Sequence, residues 1–489
     1  MSASPDKAFF GHPRGLQTLF FTEMWERFSY YGMRAILLLY MTATVAAGGM
    51  GLSAEEGGAI YGAYTAAVYM AAIPGGYVAD RLLGLRRSVW VGGVLIATGH
   101  FCLAFGIKPV FILGLALIVA GTGLLKPNVS AIVGKLYSAD DQRRDAGFSI
   151  FYMGINLGAF ISPLICGWLA QSETFKGILG SMGLRAEDSW HWGFGAAGIG
   201  MSLGVVQYLW GSRKLVETPV ANPAPNPVLV WAQIAACCAV VAGLFYGLWD
   251  YRNWLFLIGT AVFFVWFLAQ TEPGVERKRG YAVLILFVFA ALFWAGFEQA
   301  GSSLNLFGDR VTRNQIFGMS FPSSFHQSTN SIFLIIFAPI FAWLWLWLGR
   351  SGKEPSSPVK FGVGLILVGA GFFVVAIAAR LSAANGDALV SPMWLTAVYL
   401  LHTMGELCVS PVGLSTMTKI APARLAGSIM GVWFMATSIG NFIGGQVAGQ
   451  FETFPLPSLF GAVCLTTAAA GVVCLALAPT IKRLMGGVN

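Results

Sequence analysis

The sequence predicts an all-α polytopic membrane protein of 14 transmembrane helices, and three observations predict it. Of 489 residues, 56% are hydrophobic and only 11% charged, with a mean hydropathy of +0.69; soluble domains carry about 25% charged residues. The apolar runs are long and uniform, as membrane helices require, whereas barrel strands alternate over about ten residues. Lysine and arginine also concentrate in every second connection between runs, which is the asymmetry that orients helical membrane proteins.

The first span, 19–44, organises the chain because it holds Glu23, Glu26, Arg27 and Arg34 in an otherwise apolar helix. Glu23, Arg27, Tyr30 and Arg34 step by four, three and four residues and so share one face. That stripe is about 16 Å tall, and Glu26 sits beside it. Charge facing lipid is costly, so the stripe is expected to face partners or water.

Residues 54–79, 89–105, 110–136, 146–170 and 192–210 give the next five spans. Two more, 229–248 and 254–270, follow the proline-rich linker 218–227 and carry no internal charge. They read as an inserted peripheral hairpin with no direct chemistry. The last six are 281–307, 325–348, 361–381, 392–419, 425–451 and 459–481. This divides the chain into an N-terminal six-helix bundle (1–213), linker and hairpin (214–278), and a C-terminal six-helix bundle (279–489).

With the N-terminus inside, inner segments hold 20 of the 30 lysines and arginines and outer segments seven; Arg27, Arg34 and Lys126 lie within spans. Both termini are therefore expected in the cytoplasm. Residues 1–11 are polar or mixed and run straight into a full span, unlike a cleaved secretory signal. The 61 glycines fit close helix packing in lipid. The seven cysteines lie in apolar stretches without metal-like spacing and read as packing residues. A net charge of +8 resides in the loops and is no sign of nucleic-acid binding.

Within the spans, polar groups are few. Tyr61, Tyr64 and Tyr69 lie in the second, Lys126 beside Pro127 in the fourth and Asn156 in the fifth. The C-terminal half contributes Glu298, Asn330, Glu406, Ser410 and Trp433. Arg34 and Lys126 thus oppose Glu298 and Glu406 across any cavity between the halves. Such a dipole suits a zwitterion, with its carboxylate at Arg34 and Lys126 and its ammonium at Glu406. Glu298 is also placed to pair with Lys126 across that cavity.

Between the second and third spans runs Gly75-Gly-Tyr-Val-Ala-Asp80-Arg81-Leu-Leu-Gly84-Leu-Arg86-Arg87. It resembles the loop motif of the major facilitator superfamily, in which Asp80 and Arg81 would latch one conformation. The resemblance implies two six-helix halves around a central cavity. Glu23-x-x-Glu26-Arg27-Phe28, Phe151-Tyr152-x-x-Ile155-Asn156-x-Gly158 and Gly405-Glu406-Leu-x-x-Ser410-Pro411 narrow it further. Together they resemble the proton-dependent oligopeptide transporter (POT) family, with a hairpin like that of bacterial members.

That resemblance implies a proton-coupled symporter importing di- and tripeptides, in the bacterial plasma (inner) membrane, driven by the proton gradient without a cofactor. It assigns Glu23, Glu26 and Arg27 to proton coupling and Arg34, Lys126 and Asn156 to the peptide carboxyl end. Asn330 and Glu406 would hold the amino end, Tyr30 and Tyr69 would touch the peptide, and Lys126 with Glu298 would gate. Ser410 and Trp433 complete the expected substrate set. Ala159 stands where many members have serine. Coupling is expected to rest on carboxylates, because no histidine occurs in the second span.

A plant-like nitrate carrier or a carrier of peptide-like drugs is the alternative, although nitrate gives Glu406 no task. No metal cluster, G-x-S-x-G or Walker-type loop supports an enzyme. The expected partners are peptides, protons and the bilayer, and the expected state is a monomer.

Overall fold

The computed structural model describes residues 8–138, 141, 143–215, 220, 223, 225–233, 235, 252–420 and 426–486. α1 (Arg14–Thr42) begins just after Pro13 and ends where Ala43 turns extended. α2 (Ala54–Met70) starts from a capping box in which the Ser53 side chain and Glu56 satisfy each other's backbone amides. α3 (Ala72–Val78) continues it, and a wide turn over Ala79–Leu83 ends at Gly84 with a positive φ of 74°. Then come α4 (Leu85–Leu103), α5 (Lys108–Lys135), α6 (Arg144–Gln171), the short α7 (Glu173–Ser181) and α8 (Ser189–Gly211).

The second arm of the expected hairpin forms α9 (Arg252–Ala269). The first arm, 229–248, falls mostly outside the described residues. α10 (Val275–Phe297) begins the expected span 281–307, which is interrupted within the run. It gives way at Glu298–Gly301 to a tighter turn, and the chain restarts as α11 (Ser303–Arg310). A two-stranded hairpin, β1 (Gln315–Ile316) and β2 (Met319–Ser320), precedes α12 (Ser328–Arg350). The chain ends with α13 (Ser357–Ala384), α14 (Met393–Ile420), α15 (Ala426–Gly449) and α16 (Leu456–Leu484). Among the described residues, seven helices are long and apolar enough to cross a membrane.

Helices α1, α4, α5, α6 and α8 pack together, as do α10 and α12–α16. The two groups meet where α2 crosses α15 and where α6 crosses α12. Glycines permit the first crossing. A Cβ on Gly58 would stand 2.7 Å from the Gly445 carbonyl oxygen, and one on Gly62 3.0 Å from the Gly445 Cα. Backbones this close leave no room for side chains.

Polar ties join the groups on the face where α1 ends and α2 begins, here the distal face. Glu452 accepts from the Ala54 amide at the start of α2 (3.1 Å) and pairs with Arg310 (2.5 Å). Hydrogen bonds from Arg310 and the Ala54 amide hold the Glu452 carboxyl below the usual carboxylate range. Gln171 at the end of α6 donates to Ser323 (2.9 Å) and Asp309 (3.2 Å). Nearer the centre, Ser438 donates to the Ala66 carbonyl and Asn305 to the Ala35 carbonyl.

Candidate functional site

Between the two helix groups lies a cavity. From α1 it receives Glu23, Arg27, Tyr31 and Arg34; Tyr69, Lys126 and Asn156 come from α2, α5 and α6. The opposite wall presents Trp294, Glu298, Asn330 and Glu406. One wall is thus cationic and aromatic, the other carboxylate-bearing.

Towards the middle of α1, Glu23, Glu26 and Arg27 form a buried cluster. Arg27 Nε lies 3.2 Å from Glu23 Oε1, and its guanidinium forks onto both oxygens of Glu26. Glu23 Oε2 is buried without a partner among the described residues. Glu26 is fully buried and does not line the cavity.

Two turns on, Arg34 Nη2 pairs with Glu298 Oε2 at 2.5 Å and donates to the Glu298 carbonyl at 3.1 Å; Arg34 Nε donates to Tyr61 Oη at 2.6 Å. The break after α10 produces this geometry. It frees the Glu298 carbonyl from the helix ladder and turns side chain and backbone toward one guanidinium. Gly301 packs against it, where a Cβ would stand 2.6 Å from Arg34 Nε.

This pairing corrects the expected Lys126–Glu298 gate: in this structure the partner of Glu298 is Arg34. Lys126 instead places its ammonium over the Tyr69 ring, 4.3 Å from the centroid, a cation–π contact. It stays within electrostatic reach of Glu23, Glu26 and Glu298.

On the other wall, the Asn330 amide donates to Thr403 Oγ1 (2.9 Å) and Glu406 Oε2 (3.2 Å). Both of its N–H groups are thereby used, leaving its carbonyl oxygen and the Glu406 carboxylate as acceptors. Asn156 donates back to the Tyr152 carbonyl one turn earlier (3.0 Å).

The sequence placed Glu23, Arg27, Arg34, Tyr69, Lys126, Asn156, Glu298, Asn330 and Glu406 together, and the cavity contains all nine. Besides Glu26, five further residues lie off it. Tyr30, at 2% exposure, is buried behind the wall, and its neighbour Tyr31 lines the cavity instead. Both fit helical spacing from Arg27, at three and four residues, so spacing alone did not choose between them. Trp433 is one layer back, its ring 6.2 Å from that of Trp294. Ser410 does not line the cavity, and its hydroxyl has no partner among the described residues. Asp80 and Arg81 do not line the cavity, and Arg81 lies over the Tyr77 ring at 5.7 Å. Trp294, Gln327, Tyr399 and His402 were missed as lining residues. Trp294 stood one turn before Glu298, and His402 one turn before Glu406, which was the available signal.

The sequence profile of the POT family (PTR2) matches residues 86–463. A peptide transporter of Yersinia enterocolitica is 39% identical over 98% of this chain and 96% of its own. The chain belongs to the POT family. A di-/tripeptide transporter of Lactococcus lactis is 38% identical over 99% of both chains. A crystal structure of a POT peptide transporter, a mutant in complex with alafosfalin, superimposes with a TM-score of 0.87. It is 41% identical and covers 98% of this chain and 97% of its own. The fold is therefore that of the POT branch of the major facilitator superfamily, and the protein is a multi-pass membrane transporter, not an enzyme.

Proposed function

We propose that this POT member imports di- and tripeptides together with protons. One observation carries the reading: a cavity whose cationic wall (Arg27, Arg34, Lys126) faces an Asn330–Glu406 acceptor pair. A zwitterion with a terminal carboxylate and a terminal ammonium answers both walls at once. Nitrate answers only one, and a buried unpaired carboxylate is costly. Arg34, Lys126 and Asn156 receive the peptide carboxylate, Asn330 and Glu406 the ammonium, and Tyr31 and Tyr69 flank the backbone. The family likeness and the names of the relatives support the same substrate class.

Glu298 and the Glu23–Glu26–Arg27 cluster take the proton-coupling role, and Lys126 and Arg34 supply the gating cations. In this conformation, polar ties hold the distal face closed, so the cavity serves the other face. The charge asymmetry of the loops favours a cytoplasmic location for that other face and for both termini, in a bacterial inner membrane. Residues 1–213 and 279–489 act as the rocking halves, with the 214–278 insert outside the cycle. The transporter works as a monomer, its cavity lying within one chain.

Uptake of labelled dialanine into proteoliposomes tests this. Accumulation is expected when the outside is acidified, with competition by tripeptides and none by nitrate. Uptake unaffected by the proton gradient, or competed by nitrate alone, refutes it.

A further inference from the structure

Helices α1 and α2 bury tyrosine hydroxyls that the site above does not use. Tyr30 on α1 and Tyr61 and Tyr64 on α2 are each 5% exposed or less. Tyr61 Oη takes the Arg34 Nε–H. The hydroxyls of Tyr30 and Tyr64 are buried with no hydrogen-bond partner among the described residues. An unpaired buried hydroxyl is unfavourable, and phenylalanine fills the same space without that cost. Two such groups at one helix contact point to a task.

Their neighbours suggest which. Tyr64 lies within electrostatic reach of Tyr30, Tyr61, Glu26 and Arg34. Tyr30 lies within reach of Arg34, Glu298, Tyr61 and Tyr31. Tyr30 stands one turn after Glu26 and one turn before Arg34; Tyr61 and Tyr64 stand one turn apart on α2. The row of hydroxyls therefore runs from the Glu26–Arg27 pair to the Arg34–Glu298 pair. It connects, inside the protein wall, two carboxylate sites whose arginines, Arg27 and Arg34, stand two helical turns apart on α1.

We propose that Tyr30 and Tyr64 relay protons between the Glu23–Glu26–Arg27 cluster and Glu298. In each hop a phenolic oxygen accepts a proton as its own O–H proton leaves for the next oxygen. Every tyrosine therefore ends as a neutral phenol. Across the row, one carboxylic acid becomes a carboxylate and one carboxylate becomes a carboxylic acid, with no other reactant. Where two oxygens stand beyond hydrogen-bond reach, one water bridges them. The inference rests on the proton-coupled reading above.

Tyr30→Phe and Tyr64→Phe, each removing a single oxygen, test it in proteoliposomes. Two rates are measured: exchange of labelled dialanine without a gradient, and dialanine-driven proton entry reported by an internal pH dye. At least a tenfold fall in proton entry is expected in each variant, with exchange within twofold of the parent protein. Thermal melting should change little, because neither hydroxyl has a protein hydrogen-bond partner among the described residues. Proton entry within twofold of the parent in both variants overturns the relay. So does an equal fall in entry and exchange, which marks a structural role. Absence of dialanine exchange in the parent protein overturns the peptide reading, and the relay with it. Failure of the relay alone leaves that exchange intact.

Discussion

The Glu452 tie on the distal face allows a quantitative prediction. Its carboxylate spans the two helix groups, with one oxygen on Arg310 and the other on the first amide of α2. Glu452→Gln keeps the shape and removes the charge. The side chains of Arg310 and Glu452 are 32% and 45% exposed, so solvent screens the pair. Arg310 and Glu452 both belong to the C-terminal half, so their pair does not cross the seam, whereas the charged hydrogen bond from the Ala54 amide does. That bond, at a helix N-terminus, favours the closed distal face by about 0.3–1 kcal/mol, roughly a two- to fivefold change in the closed-to-open ratio. Spin labels on exposed Glu55 and Ile316, on opposite sides of this seam, would report the separation by pulsed electron resonance. A larger long-distance population is expected in Glu452→Gln at pH 7. The sign with pH follows from the lowered pKa of Glu452. Its contribution is complete above the ordinary carboxylate pKa, about 4.3, and is lost only as pH falls through the lower value held in the closed state. Closure should thus be insensitive to this group between pH 7 and 5 and weaken in stronger acid. A distance distribution in the variant identical to that of the parent at pH 7 would refute the reasoning.

Other outcomes follow from the same geometry. Glu406→Ala should weaken binding of free-amine dipeptides by about 1.5–3 kcal/mol, ten- to hundredfold, and that of N-acetylated ones far less; equal losses in a competition assay would contradict the ammonium assignment. Gly58→Val, which drives side-chain atoms into the Gly445 and Gly449 backbones, should open the distal face and slow dipeptide exchange. Preserved distal spin-label distances in that variant would count against the glycine seam. Cysteine in place of Arg86 should react with a membrane-permeant maleimide and resist an impermeant one in intact cells, and the opposite result would invert the orientation.

The sequence made the helical class legible because lipid tolerates little else than long apolar helices. Intramembrane charge was legible for the same reason. Glu23, Arg27, Arg34, Lys126, Glu298 and Glu406 stood out against an apolar background, and all line the cavity. Partner choice was not legible. Glu298 meets Arg34 because the chain breaks after Phe297, a local backbone event inside a run that reads as uniformly helical from 281 to 307. The choice between Tyr30 and Tyr31 was lost for a geometric reason, since 100° per residue lets spacings of three and four both pass as one face. Trp433 looked like a lining aromatic because nothing in sequence marks which of two layers a tryptophan occupies.

Arg34 also indicates why proton and peptide would have to act together on the proposed reading. Three contacts hold it: the Glu298 carboxylate, the Glu298 carbonyl and the Tyr61 hydroxyl. Protonating Glu298 cancels only the first, because the carbonyl and the phenol carry no titrating charge. A peptide carboxylate arriving alone meets a guanidinium already paired in a buried site, where exchanging one anion for another gains little and strands the displaced one. With both present, the proton neutralises Glu298 as the peptide takes over the cation, and no charge is left unpaired. Glu298→Gln imitates the protonated state permanently. It should keep dipeptide exchange within a few fold while abolishing accumulation against a gradient. Persistent proton-driven accumulation in that variant would mean that the Arg34–Glu298 pair is structural and that coupling lies wholly in the Glu23–Glu26–Arg27 cluster.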